Sequence, residues 1–173
     1  PVLIQNKWLV LFLCGSFLVI LLFSLFFKLL PSINAVNRKT RGSILYPVIV
    51  YTCYLFQAEY GLVFYYIPIL ILAFCDPVAA LVGKKWPKGA YKTFGQTKTM
   101  SGSMSFFISA VVIAVLLLFF VEKIHFLPSL TIATLIALTT ATAEALTHKG
   151  YDNLTIPGTV VLVLWTLETY QIF

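Results

Sequence analysis

Residues 62–82 read LVFYYIPILILAFCDPVAALV, 21 positions that carry no charge until Asp76, with Pro77 directly behind it. At about 1.5 Å per residue, a helix over this run is about 30 Å long, which matches the hydrocarbon thickness of a bilayer. A carboxylate within such a span is costly and ordinarily functional. The run is therefore read as a membrane-crossing helix with chemistry in its final third.

The same pattern extends outward in both directions. Trp8 to Phe27 is apolar and uncharged, and is broken by Lys28, Pro31, Asn34 and the polar stretch Asn37-Arg38-Lys39-Thr40-Arg41-Gly42. Ser43 to Phe56 is shorter. Its 14 residues cover only about 21 Å as a helix, with Pro47 near the start, so it either begins earlier, near Thr40, or falls short of crossing. Beyond the polar connector 83–102 come Ser103–Val121, Leu127–Leu146 and Leu154–Tyr170. Pro157 falls in the opening turn of the last run, where a missing N–H loses no partner.

Composition supports this reading. Of 173 residues, 60% are hydrophobic, 16% aromatic and 10% charged, a profile that excludes a separate water-soluble domain. The expected fold is an all-α, polytopic integral membrane protein with a single transmembrane domain, residues 1–173. Its spans are about 8–27, 43–56, 62–82, 103–121, 127–146 and 154–170. The sequence starts at Pro1 rather than Met, which leaves room for one more helix upstream. Neither a cleavable signal peptide nor an internal repeat is recognisable.

Twelve Lys and Arg face six Asp and Glu. Ten of the twelve basic residues fall in the connectors 28–42, 83–102 and 147–153, which the positive-inside rule assigns to the cytoplasm. Concentrated in membrane-edge loops, these charges suit phosphates and anionic headgroups and argue against a nucleic-acid partner. Cys14, Cys53 and Cys75 all lie in apolar runs and are expected to be buried and reduced.

This topology gathers three of the six acids, Asp76, Glu144 and Asp152, at one depth beside the basic connectors. Carboxylates hold Mg²⁺ while lysines and backbone N–H groups take phosphate charge, so the cluster has the composition of a metal–nucleotide site. Lys98-Thr99-Met100-Ser101-Gly102-Ser103 opens the fourth span, where free N–H groups and the helix dipole favour an anion. Thr97 stands where a Walker A loop has glycine, so the segment is not a Walker motif.

Structural roles compete with these readings. Asp76 could pair with Lys84, Glu144 with His148 or Lys149, and Asp152-Asn153 could simply cap a helix. Lys84, Lys85, Lys88 and Lys92 serve topology as readily as catalysis. Ser129, Ala133, Ala137, Ala141 and Ala145 form a small-residue stripe suited to helix packing.

Four segments together resemble the CTP-dependent polyprenol kinases, which include phytol, farnesol and dolichol kinases and are related to phosphatidate cytidylyltransferases. They are Asp76-Pro77-Val78-Ala79-Ala80-Leu81-Val82-Gly83-Lys84, Lys98 to Ser103, Glu144 ahead of Asp152-Asn153-Leu154-Thr155-Ile156-Pro157, and Arg41-Gly42-Ser43-Ile44-Leu45-Tyr46. The resemblance implies CTP as phosphoryl donor, Mg²⁺ as cofactor and an isoprenoid alcohol as acceptor, with the site facing the cytoplasm. Asp76 and Asp152, with Asn153 beside them, are then expected to hold the metal, or one of the two acids takes the hydroxyl proton, with Glu144 as the alternative base. Lys98, Thr99, Ser101 and Gly102 are expected at the nucleotide phosphates, assisted by Lys84 and Arg41.

The family's Arg-Lys-x-x-His helix is absent from this sequence. So is the Gly-rich, Asp-Arg-containing ending of the cytidylyltransferases, which makes a CDP-lipid synthase the second reading. A small transporter or lipid-binding protein is a third, disfavoured because the ionisable residues gather at one end rather than at the midplane.

Overall fold

The computed structural model describes residues 6–27, 41–94, 96–148 and 150–172. Most of connector 28–42, including Lys28, Arg38 and Lys39, and also Lys149, lie outside these residues. The described chain is all-α apart from one β-hairpin. Its elements are α1 (Lys7–Phe26), α2 (Arg41–Tyr60), α3 (Val63–Lys85), the strands β1 (Ala90–Thr93) and β2 (Gln96–Thr99), α4 (Met100–Phe120), α5 (Phe126–Leu146) and α6 (Asp152–Thr169).

By length and composition, α1, α3, α4 and α5 suffice to cross a membrane. Helix α2 has 20 residues, not the 14 expected from its apolar run, because it takes in Arg41-Gly42 at one end and Gln57 to Tyr60 at the other. Backbone hydrogen bonding continues through polar residues that a hydropathy reading treats as a boundary. Helix α6 has 18 residues and starts at Asp152, two positions before its apolar run.

Helix α3 is continuous but changes pitch. Its first segment ends at Leu70, Ile71–Cys75 form a π-helical turn, and α-helix resumes at Asp76. Pro77 offers no N–H to the preceding turn, and its ring crowds the carbonyl four residues back, at Ala73, inside the widened turn. The proline thus accounts for a local change of pitch directly before Asp76.

The core lies where α3, α4, α5 and α6 meet. Phe64, Ile67 and Ile71 pack with Phe106, Ala110, Ala114 and Leu118, and with Ala133, Ile136, Ala137, Ile156, Val160 and Leu164. Of the small-residue stripe on α5, Ser129, Ala133 and Ala137 are completely buried, which permits close helix approach. Cys53 and Cys75 are buried, Cys14 is half-buried, and all three are free thiols.

Two glycines set the distance between α3 and α4. A Cβ added to Gly102 would lie 3.0 Å from the Ala79 carbonyl oxygen and 3.5 Å from the Cα of Gly83. Backbone cannot yield as a side-chain tip can. Gly102→Ala is therefore expected to cost about 1–3 kcal/mol, the usual penalty of overpacking. Thermal unfolding in detergent checks this, and an unchanged midpoint would contradict the close crossing.

Candidate functional site

The site is organised by the hairpin, which folds over the C-terminal end of α5. The strands are antiparallel, with Tyr91 opposite Lys98 and Thr93 opposite Gln96. Thr93 Oγ1 donates to the Ala145 carbonyl (2.9 Å), Gln96 Nε2 to the Thr147 carbonyl (3.0 Å), and Lys98 Nζ to the Glu144 carbonyl. A helix leaves its last carbonyls without intrahelical donors, and here one hairpin face supplies them. A lysine ammonium also suits the negative end of the helix dipole.

Lys98 makes a second contact, a 2.6 Å ion pair with Glu144 Oε1. The two side chains are only 14% and 10% exposed, so the pair is largely withdrawn from water. Glu144 Oε2 is buried without a hydrogen-bond partner among the described residues. A buried acceptor without a donor is costly, so a donor brought to this oxygen would be favourable.

A cavity of about 240 Å³ opens beside this pair. Asp76 of α3, Lys84 of α3, Lys98 and Thr99 of β2, Glu144 of α5 and Asp152 of α6 line it together, as do Gly83 and Gly102. Asp152 is the first residue of α6, where a carboxylate complements the helix dipole. Three acids and two lysines from three helices and a hairpin therefore share one opening.

Two expected site residues, Ser101 and Asn153, stand apart from the cavity wall. Ser101 Oγ donates to the Trp86 carbonyl, and Asn153 Nδ2 donates to the Gly42 carbonyl at 2.9 Å. Asn153 thereby ties the start of α6 to the start of α2. Gly42 is needed for that contact, since a Cβ there would lie 2.7 Å from the Gly150 carbonyl oxygen. Arg41 opens α2, and its side chain lies outside the described residues.

The opening turn of α4 is already partly occupied. Met100 N–H donates to the Gly89 carbonyl (3.0 Å), Ser101 N–H to the Lys88 carbonyl (3.4 Å) and Gly102 N–H to Thr99 Oγ1 (3.2 Å). The polar side chains that line the cavity from this segment are Lys98, Thr99 and Ser103, the last with its hydroxyl paired to Tyr91. Among the described residues, no three His, Cys, Asp or Glu side chains are grouped as a metal cage.

Glu144 does not share a helix face with His148, because α5 ends at Leu146; the His148 ring packs instead against Phe94, with centroids 4.5 Å apart. Sequence reading also missed Gln96 and Thr97 on the cavity wall, and Tyr91, whose hydroxyl lies 2.6 Å from Ser103 Oγ. The signal was an alternation: Tyr91, Thr93, Gln96 and Lys98 are half-buried, while Lys92 and Thr97 are exposed.

Among curated proteins, the chain is similar to a phytol kinase of Synechocystis sp., with 30% identity over 138 residues, 79% of this chain and 59% of that protein. The chain thus spans about three-fifths of the length of the relative it matches. No family model and no solved structure matches it. The likeness agrees with the motif resemblance: in sequence the chain is phytol- and polyprenol-kinase-like, and it is a membrane protein.

Proposed function

We propose that this chain carries the active site of a membrane-embedded kinase that transfers the terminal phosphoryl group of a nucleoside triphosphate, CTP by its motifs, to an isoprenoid alcohol such as phytol, farnesol, geranylgeraniol or a polyprenol. The observation that supports this reading is the shared cavity of Asp76, Glu144, Asp152, Lys84 and Lys98. The charge asymmetry of the connectors supports a cytoplasmic-facing cavity, to which nucleotide would arrive from water and alcohol from the bilayer.

The donor set fits Mg²⁺. It is a hard cation that takes one or two carboxylates and completes its shell with phosphate oxygens and water, so Asp76 and Asp152 suffice without a third acid. When bound, the ion would neutralise charge on the phosphates.

The protein's own residues account for the remaining requirements. Lys98 has three N–H donors and spends them on one carbonyl and one carboxylate, which leaves one for a phosphate oxygen. Lys84 and Thr99 add a second charge and a hydroxyl on the same wall. In the transfer, the alcohol oxygen forms a bond to the γ-phosphorus as the bond to the β,γ-bridging oxygen breaks, and the nucleoside diphosphate departs. The hydroxyl proton passes to a carboxylate of the cavity, Asp76 or Asp152, with Glu144 as the alternative base. Positioning and charge neutralisation dominate such loose transition states.

Isotope placement tests the reading. With CTP labelled at the γ-phosphate, the lipid product should become radioactive, whereas α-label should stay in the nucleotide. Label entering lipid only from the α-position would convert the assignment to a cytidylyltransferase.

A further inference from the structure

A second cavity, about 690 Å³, lies along α5 and α6 beside the hairpin. Its walls alternate with those of the polar cavity along the chain. Ala143 faces the second and Glu144 the first; Tyr151 faces the second and Asp152 the first. On the wall of the second cavity Thr147 Oγ1, just past the end of α5, lies 2.8 Å from Thr155 Oγ1 of α6.

The groove is richer in polar side chains at its connector end, and Thr159 is the polar residue that lines it further along α6. Thr147, Tyr151 and Thr155 sit at the connector end, while Gly158 and Leu162 continue it along α6. From Tyr151 to Leu162 the helix advances about 16 Å. Leu146 and Leu162 are 57% and 62% exposed, so the side is open and apolar, as a passage from a bilayer must be. Among the described residues, no Lys, Arg, Asp or Glu lines it. That lining suits a neutral hydroxyl head on a hydrocarbon tail, with His148 the one basic side chain among the described lining residues.

We propose that this groove is the acceptor site: the isoprenoid chain of the alcohol lies along Gly158 and Leu162, with its hydroxyl carried past the Thr147–Thr155 pair towards Glu144. This rests on the kinase reading above for its chemistry. It adds a specificity determinant, because the depth available beyond Gly158 limits how much chain is held.

Gly158 provides the test, since it lines the groove and a Cβ built there meets nothing within 4 Å. In the full chain reconstituted in vesicles, Gly158→Phe should lower kcat/KM for geranylgeraniol at least tenfold more than for geraniol. Leu116→Phe, on the exposed face of α4 and outside both cavities, should leave that ratio unchanged. A ratio unaffected by Gly158→Phe overturns the proposal.

Photolabelling separates it from the kinase reading. A diazirine-bearing farnesol should mark Leu146, Tyr151 or Leu162 and be displaced by geranylgeraniol but not by phosphatidylcholine. Such labelling without any phosphoryl transfer would retain the groove as an alcohol site and reject the kinase. Labelling elsewhere, or displacement by phospholipid to the same extent, would reduce the groove to an ordinary lipid contact.

Discussion

Asp76→Asn and Asp152→Asn should each lower kcat by roughly 10²–10³-fold, the loss typical when one preorganised electrostatic group is removed from a reacting site. Asparagine preserves the size of the side chain and one acceptor oxygen. It removes the negative charge and replaces an acceptor with a donor. Both acids line the same cavity but belong to different helices, one directly after a π turn and the other at a helix start. A packing fault in one would therefore not mimic the other. Each variant must first be shown to insert and to melt like the parent. The informative readout is the Mg²⁺ concentration for half-maximal rate, which should rise for a variant that has lost a metal ligand and stay put for one that has lost only a base. Near-normal turnover in either variant would refute that residue's role.

The architecture and the carboxylate cluster were accessible from sequence for a common reason. In a bilayer, burial cost forces charge to the ends of apolar runs, so charge position reports depth. Asp76, Glu144 and Asp152 could be assigned to one level because Asp76 and Glu144 fall towards the ends of their runs and Asp152 just before the start of the last, all on the side of the basic connectors. The hairpin was not accessible in the same way. Its inward face is Tyr91, Thr93, Gln96 and Lys98, so the period-two pattern is written mostly in polar residues and carries little hydrophobic contrast. What holds it is the set of orphan carbonyls at the end of α5, some 50 residues away along the chain.

Lys98 was expected from sequence to meet phosphate, but its carboxylate partner was not legible there, because only the folded hairpin brings it to Glu144. The opening turn of α4 shows the opposite error. Free N–H groups are a sound expectation for any helix start, yet here the Gly89 and Lys88 carbonyls, brought round by the hairpin, occupy them. Asn153 likewise looked like a metal donor because of its neighbour Asp152. In the fold its Nδ2 donates to the Gly42 carbonyl and so joins α6 to α2, a bond that leaves Oδ1, the atom a metal would use, uncommitted.

Lys98→Met should damage stability and activity together, and the two losses can be separated. Removing the ammonium leaves Glu144 as a buried carboxylate with neither oxygen holding the partner it has now, and takes a cation from the end of α5. Breaking a buried pair from one side costs about 3–5 kcal/mol, which for a chain of this size corresponds to roughly 6–20 °C in the melting midpoint. Adding Glu144→Gln removes the stranded charge, so Lys98→Met/Glu144→Gln should regain most of that midpoint. It should not regain phosphoryl transfer, because the ammonium facing the nucleotide is still missing and the acceptor oxygen beside it has lost its charge. Recovery of turnover along with stability would reduce Lys98 to a structural clamp on α5. A single variant as stable as the parent would show that the pair contributes nothing to holding the hairpin over the site. Recovery of the midpoint alone is the expected result, and it would assign Lys98 both tasks: fastening the hairpin to α5 and presenting positive charge to the phosphates.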